Sequence, residues 1–174
     1  MTALEEFRSL KDEFYKLDPN SPLTPEQKQV FKGLFYFPAN PALRFELPVE
    51  RFEKIETIKM PTSTGDIQEY TRYGRLHFSV EGQPVELTVY STGWEVFFLP
   101  FMDSLTGKET YDAGRYLEPE WVGGDMLLVD FNYAYNPYCA YNENWSCPIT
   151  PFENRIKVPI RAGEKLFCLD PILK

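Results

Sequence analysis

The chain has 174 residues, 43% of them hydrophobic and 16% aromatic, with a net charge of -8. That length suffices for one domain burying roughly 70% of its unfolded surface, and the composition excludes a mostly disordered chain. The negative charge argues against nucleic acid and against an anionic membrane as partners, since both need clustered Lys and Arg.

The first element reads as a helix. Thr2 and Glu5 form a T-x-x-E capping box, and Leu4, Phe7, Leu10, Phe14 and Leu17 recur at helical spacing. The start lacks the cationic and apolar run of a secretory signal, so a cytoplasmic location is expected. Pro19 and Pro22 end the helix. A second, short one begins at Thr24, with Pro25 at its first position and Gln27 completing another capping box; it stops at Gly33. Residues 1–33 are thus expected to be a helical extension packed on a β domain over 43–174, the whole forming a single domain.

From Leu43 the hydrophobic period becomes two. RFEKIETIKM (51–60), IQEYTRYG (67–74), RLHFSV (75–80), PVELTVYS (84–91), EVFFLPF (95–101) and MLLVDF (126–131) read as strands. Ser63-Thr64-Gly65-Asp66 and Glu81-Gly82-Gln83 supply turn chemistry between them. RIKVPI (155–160) and EKLFCL (164–169) read as a closing pair around Arg161-Ala162-Gly163. No long helical pattern interrupts these segments. The expected fold is therefore mainly β, an antiparallel sandwich or barrel preceded by two short helices.

Motifs for familiar chemistry are weak. GKET (107–110) lacks the first glycine of a phosphate loop, because Met102 stands there. His77 is the sole histidine, so no multi-histidine metal site can form, and it alternates away from Leu76 and Phe78. Cys139 and Cys147 lie eight apart and could be a bridge or two buried thiols, with free thiols preferred; with Cys168 they make too small a set for structural zinc. No metal is expected and no cofactor is indicated.

The stretch from Asp103 to Glu164 concentrates unlike polar groups. Asp130 follows the apolar run MLLV, so its carboxylate must be paired or proton-bound, with Arg115 a candidate partner. Asn132, Asn136 and Asn154 offer amides, while Tyr111, Tyr116, Tyr133, Tyr135, Tyr138, Tyr141 and Trp145 offer flat walls with polar tips. A pocket for a small polar molecule needs such a mixture, but so does a long loop that must satisfy its own backbone.

Several of these segments carry a resemblance. SPLTPEQKQVFKGL (21–34), GLFYFPANPALR (33–44), GKETYDAGRYL (107–117), DFNYAYNPYCAY (130–141) and CPITPFENRIKVPIRAGEK (147–165) resemble the bacterial and archaeal family called domain of unknown function 1684. The resemblance marks Lys108, Glu109, Tyr111, Gly114, Arg115, Tyr116, Asp130, Asn132, Tyr135, Asn136, Cys139, Cys147, Asn154, Gly163 and Glu164 as positions of the family pattern, and implies no activity. Members often carry two glycines where this chain has Asp112-Ala113.

Three functions stay open. A ligand-binding module would use Lys108, Tyr111, Arg115, Tyr116, Asn132, Tyr135 and Asn136 around a small polar molecule, with Asp130 a further contact. A metal-independent hydrolase or lyase would use Glu109 and Asp130 as acid and base, with Lys108 or Arg115 as electrostatic partner. A structural or interaction protein would need only a stapled loop, held by Cys139, Cys147, Asn154 and Glu164.

Overall fold

The computed structural model describes residues 1–169, which form two antiparallel sheets after two helices. The helices are α1 (Ala3–Leu17) and α2 (Pro25–Val30), each opened by a reciprocal capping box, Thr2 with Glu5 and Thr24 with Gln27. The strands are β1 (Arg44–Pro48), β2 (Glu50–Pro61), β3 (Ile67–Val80), β4 (Gln83–Gly93), β5 (Val96–Phe101), β6 (Arg115–Leu117), β7 (Glu120–Trp121) and β8 (Met126–Asp130). One sheet has the order β2-β3-β4-β5-β6 and the other β1-β8-β7; neither is closed.

Local chemistry sets the hairpins. Between β3 and β4, Glu81 and Gly82 both take positive φ (50° and 77°), the two-residue turn that matches strand twist. Alternation then does the rest. Leu76, Phe78 and Val80 of β3 and Val85, Leu87 and Val89 of β4 point to one face, where they meet Leu127 and Val129 of β8 and Phe131 beyond it. The main core lies between the two sheets, and at roughly 25 cal/mol per Å² this apolar burial is the chief favourable term in folding.

Two expectations need correcting in detail. Residues 67–74 and 75–80 are one strand, β3, with a register shift between Arg72 and Gly74. Gly74 permits it: a Cβ there would sit 2.7 Å from the Glu50 carbonyl oxygen. The closing pair at 155–160 and 164–169 does not form strands; only single bridges occur, Met102 to Arg155 and Tyr36 to Glu164. The reason is competition for backbone groups, because the carbonyls of Ile160, Ala162 and Glu164 are all turned onto the Arg115 guanidinium. Among the described residues no helix is long and apolar enough to cross a membrane.

Candidate functional site

The five-stranded sheet carries a second apolar row on the face turned away from the main core. Each strand contributes one large side chain: Met60, Tyr70, Tyr90, Phe98 and Tyr116. Tyr70 stacks on Phe98 (centroids 5.2 Å apart), Phe98 meets Tyr116 edge-on at 4.8 Å, and Tyr116 meets Tyr135 edge-on at 5.9 Å. These four rings floor a concavity of about 720 Å³, rimmed by Glu95, Glu118, Glu120 and Trp121. A second concavity of about 670 Å³ shares Tyr116, Glu118, Tyr135 and Pro148 with the first, so the two form one trough. Its far wall is Phe7, Leu10, Lys11 and Phe14 of α1, faced by Tyr138 and Trp145.

The trough is tied together by few polar contacts. The Tyr116 hydroxyl donates to the Pro148 carbonyl, and the Tyr135 hydroxyl donates to Glu118 Oε1 at 2.7 Å. Burial pushes both phenols well above their ordinary pKa, so they stay protonated donors. Glu118, Glu95 and Glu120 are exposed.

Helix α1 forms the wall in an unusual way. Its only buried residue is Tyr15, and the face it sets against the β domain carries Arg8, Lys11 and Asp12. Lys11 Nζ lies 2.5 Å from Glu164 Oε1 and 5.0 Å from the Tyr135 ring centroid. Arg8 covers the Tyr36 ring at 4.3 Å, and Asp12 Oδ1 accepts from the Leu34 amide at 2.9 Å. Phe7, Leu10 and Leu17, apolar positions in the sequence pattern, are exposed at 37%, 60% and 68%.

A second, quite different cluster lies inside. Arg115 is 1% exposed and donates to Asp103 Oδ2 at 3.0 Å, to Ile160 O at 2.8 Å, to Glu164 O at 3.2 Å, and to Ala162 O. Asp103 Oδ2 also accepts from the Ile160 amide at 2.8 Å. Burial weakens the guanidinium's hold on its proton, and the Asp103 carboxylate opposes that effect. Glu164 Oε2 accepts from the Asn136 amide (2.8 Å) and the Tyr141 hydroxyl (2.6 Å). Glycines at positive φ precede both charged residues, Gly114 at 91° and Gly163 at 76°, and a Cβ on either would lie 2.6 Å from a backbone oxygen.

Comparison with known proteins places the chain in a family. A model described as a protein of unknown function, DUF1684, matches residues 29–165. The chain belongs to the DUF1684 family. An uncharacterised protein of Haloarcula marismortui, solved in solution by NMR, is 34% identical, with 93% of this chain and 91% of that one covered and a TM-score of 0.71. No curated protein matches the chain.

The DUF1684 motif residues do not converge on one cavity. Asp130 is not bound to Arg115; its Oδ1 caps a 3-10 turn by accepting from Asn132 N (3.0 Å) and Nδ2 (2.8 Å), with Arg44 Nε 3.9 Å from Oδ2. Asn132 also bonds the backbone of Asn40, and Asn136 Nδ2 donates to Lys165 O at 3.0 Å. Asn154 is fully buried and grips β4 and β5, accepting from Thr88 N and donating to Thr88 O and Pro100 O, each at 2.8 Å. Lys108 and Glu109 line a different hollow with Phe35, Tyr36 and Leu166, where Glu109 bonds Arg161 at 2.7 Å. Asp130 does not line that hollow. Tyr111 sits beside Cys139, which forms no disulfide with Cys147. Among the described residues no cluster of His, Cys, Asp and Glu suited to a metal ion occurs.

Of the expected ligand contacts, Tyr116 and Tyr135 alone line the trough. Sequence reasoning missed Lys11, Tyr70, Phe98 and Trp121. One signal was available for Lys11: it lies four residues from both Phe7 and Tyr15, inside the apolar stripe of α1. Tyr70 and Phe98 gave none, since aromatic residues in strands ordinarily denote packing.

Proposed function

We propose that this family member is a soluble binding module whose trough takes a small amphipathic molecule with a cationic end and an apolar body. The observation that carries it is the aromatic floor from Tyr70 to Tyr135, continuous with an apolar wall of α1 that folding leaves uncovered. Small-molecule sites are mostly apolar with a few placed polar groups, and their volumes fall in this range. Tyrosine and tryptophan faces attract cations, and Glu95, Glu118 and Glu120 at the rim reinforce that preference. Among the described residues, the one lysine of the trough is already engaged by Glu164 and not by the rim carboxylates. The Arg115, Asn132 and Asn136 side chains support the site from within instead of touching the ligand.

The test compares 2-phenylethylammonium with 3-phenylpropionate by amide chemical-shift mapping. The amine is expected to move resonances of Tyr116, Glu118 and Tyr135 at concentrations where the acid does not. Glu118→Gln should weaken the amine about fivefold, the value of one partly exposed charge contact. Equal shifts with both compounds, or shifts mapping to another surface, would sink the proposal.

A further inference from the structure

Loop 140–146 leaves the 3-10 turn Tyr138–Ala140 and returns to Cys147, bringing two thiols together. The Cys139 amide points at Cys147 Sγ at 3.3 Å, and the Tyr111 hydroxyl donates to Cys139 Sγ at 3.6 Å. Ser63 Oγ accepts from the Cys147 amide at 3.1 Å and donates to the Trp145 carbonyl at 3.0 Å. Cys139 is half-buried, and Cys147 lines the trough. Thus two thiols meet at one half-buried corner, and the Cys139 sulfur accepts a hydrogen bond from the Tyr111 hydroxyl.

We propose that Cys139 and Cys147 form a peroxide-responsive dithiol, with Cys139 the attacking sulfur and Cys147 the resolving one. The Cys139 thiolate attacks one oxygen of hydrogen peroxide, the O–O bond breaks, and the departing hydroxide takes a proton to become water. Cys147 then attacks the sulfenic sulfur as its thiol proton passes to the leaving hydroxyl, the S–O bond breaks, and a second water departs. Two thiols are oxidised to one disulfide and one peroxide is reduced to two waters; a small dithiol reductant reverses the step.

Thiolate chemistry agrees with the geometry. Pairing with the Cys147 thiol, aided by the Tyr111 hydroxyl, outweighs burial and lowers the Cys139 pKa to about 6, while the same pairing raises that of Cys147. The titratable groups facing Cys139 are Cys147 and Tyr111, and burial with the Cys139 contact keeps Tyr111 protonated. The bridge would close loop 140–146, whose Trp145 packs edge-on against Tyr138 at 5.0 Å.

The full chain, treated with hydrogen peroxide, should lose two hydrogens of mass, and peptide mapping should join residue 139 to 147. In Cys147→Ser, oxidation should halt at a sulfenic acid on Cys139 trapped by dimedone; in Cys139→Ser the fast reaction should vanish. The oxidation rate of the native chain should rise with pH to a midpoint near 6. Urea-unfolded chain provides the reference, and at pH 6 folded Cys139 should react roughly tenfold faster after allowing for its lower intrinsic nucleophilicity. Equal rates folded and unfolded, a midpoint near that of an ordinary thiol, or Cys139 passing to sulfinic acid with no bridge would each overturn the proposal. The mass change, the pH midpoint and the folded-against-unfolded rates all use the native chain, so a variant that fails to fold leaves the test intact.

Discussion

The Arg115 cluster and the aromatic trough both reach Glu164, one at its backbone carbonyl and the other through Lys11 at its carboxylate, and use polar chemistry in opposite ways. Within the cluster the buried charges are spent: Arg115 has four acceptors and Asp103 binds both Arg115 and the Ile160 amide. In the trough the charged groups are sparse and lie at the surface, where Glu95 and Glu120 are exposed and Glu118 is exposed beyond its bond to Tyr135. Dense polar character therefore denotes internal scaffolding here, and the proposed binding site is the one that looks like core.

The strongest way to break that contrast is to open the cluster. Arg115→Ala strands the Asp103 carboxylate and orphans three carbonyls, so urea titration should register a loss of about 3–5 kcal/mol. A loss below about 1 kcal/mol would mean that Arg115 is not a structural charge and deserves reconsideration as a ligand contact. Asn154→Ala comes next, at about 2–3 kcal/mol, because one buried amide satisfies three backbone groups. Hydrogen exchange gives a local readout: the Thr88 amide should lose protection selectively, and unchanged protection there would contradict the proposed grip.

The same contrast explains what the sequence could reveal. The capping boxes, the Glu81-Gly82 turn and the alternation of β3 and β4 are local signals, and they are legible because their physics is local. The 155–169 segment misleads because a strand-like pattern was outbid by Arg115, a residue some forty positions earlier in the chain. Arg115 was marked as important, yet its partner proved to be Asp103, since pairing across a fold leaves no spacing to read. For α1 the apolar period was visible but its docking face was not: the helix rests on Arg8, Lys11 and Asp12, whose partners Tyr36, Glu164 and Leu34 lie in other segments.

Trough variants sharpen the comparison from the other side. Tyr135→Phe removes one hydrogen bond to a partly exposed carboxylate and should cost about 1 kcal/mol; Glu118→Gln should stay within about 0.5 kcal/mol. Both should leave the circular dichroism spectrum unchanged while Glu118→Gln weakens the amine. A Glu118→Gln loss as large as that of Arg115→Ala would erase the distinction between spent and available chemistry.

The smallest effect concerns the junction of the two regions, where Asp12 is half-buried on the inward face of α1. Burial raises its pKa, the Leu34 amide pulls the other way, and the Glu164 carboxylate adds to the rise. A raised value means that the folded chain holds this proton more tightly than the unfolded chain. The stabilisation is then complete below the ordinary aspartate pKa and fades as pH rises through the elevated one. Asp12→Asn keeps an oxygen for the Leu34 amide and removes the titration, so its stability relative to wild type should climb between acid and neutral pH. The climb should reach about a few tenths of a kcal/mol, because solvent screens a half-exposed group. A relative stability that falls instead would show the Asp12 charge to be a favourable partner of the helix interface, which would move this face of α1 from the trough's kind of chemistry toward that of the Arg115 cluster.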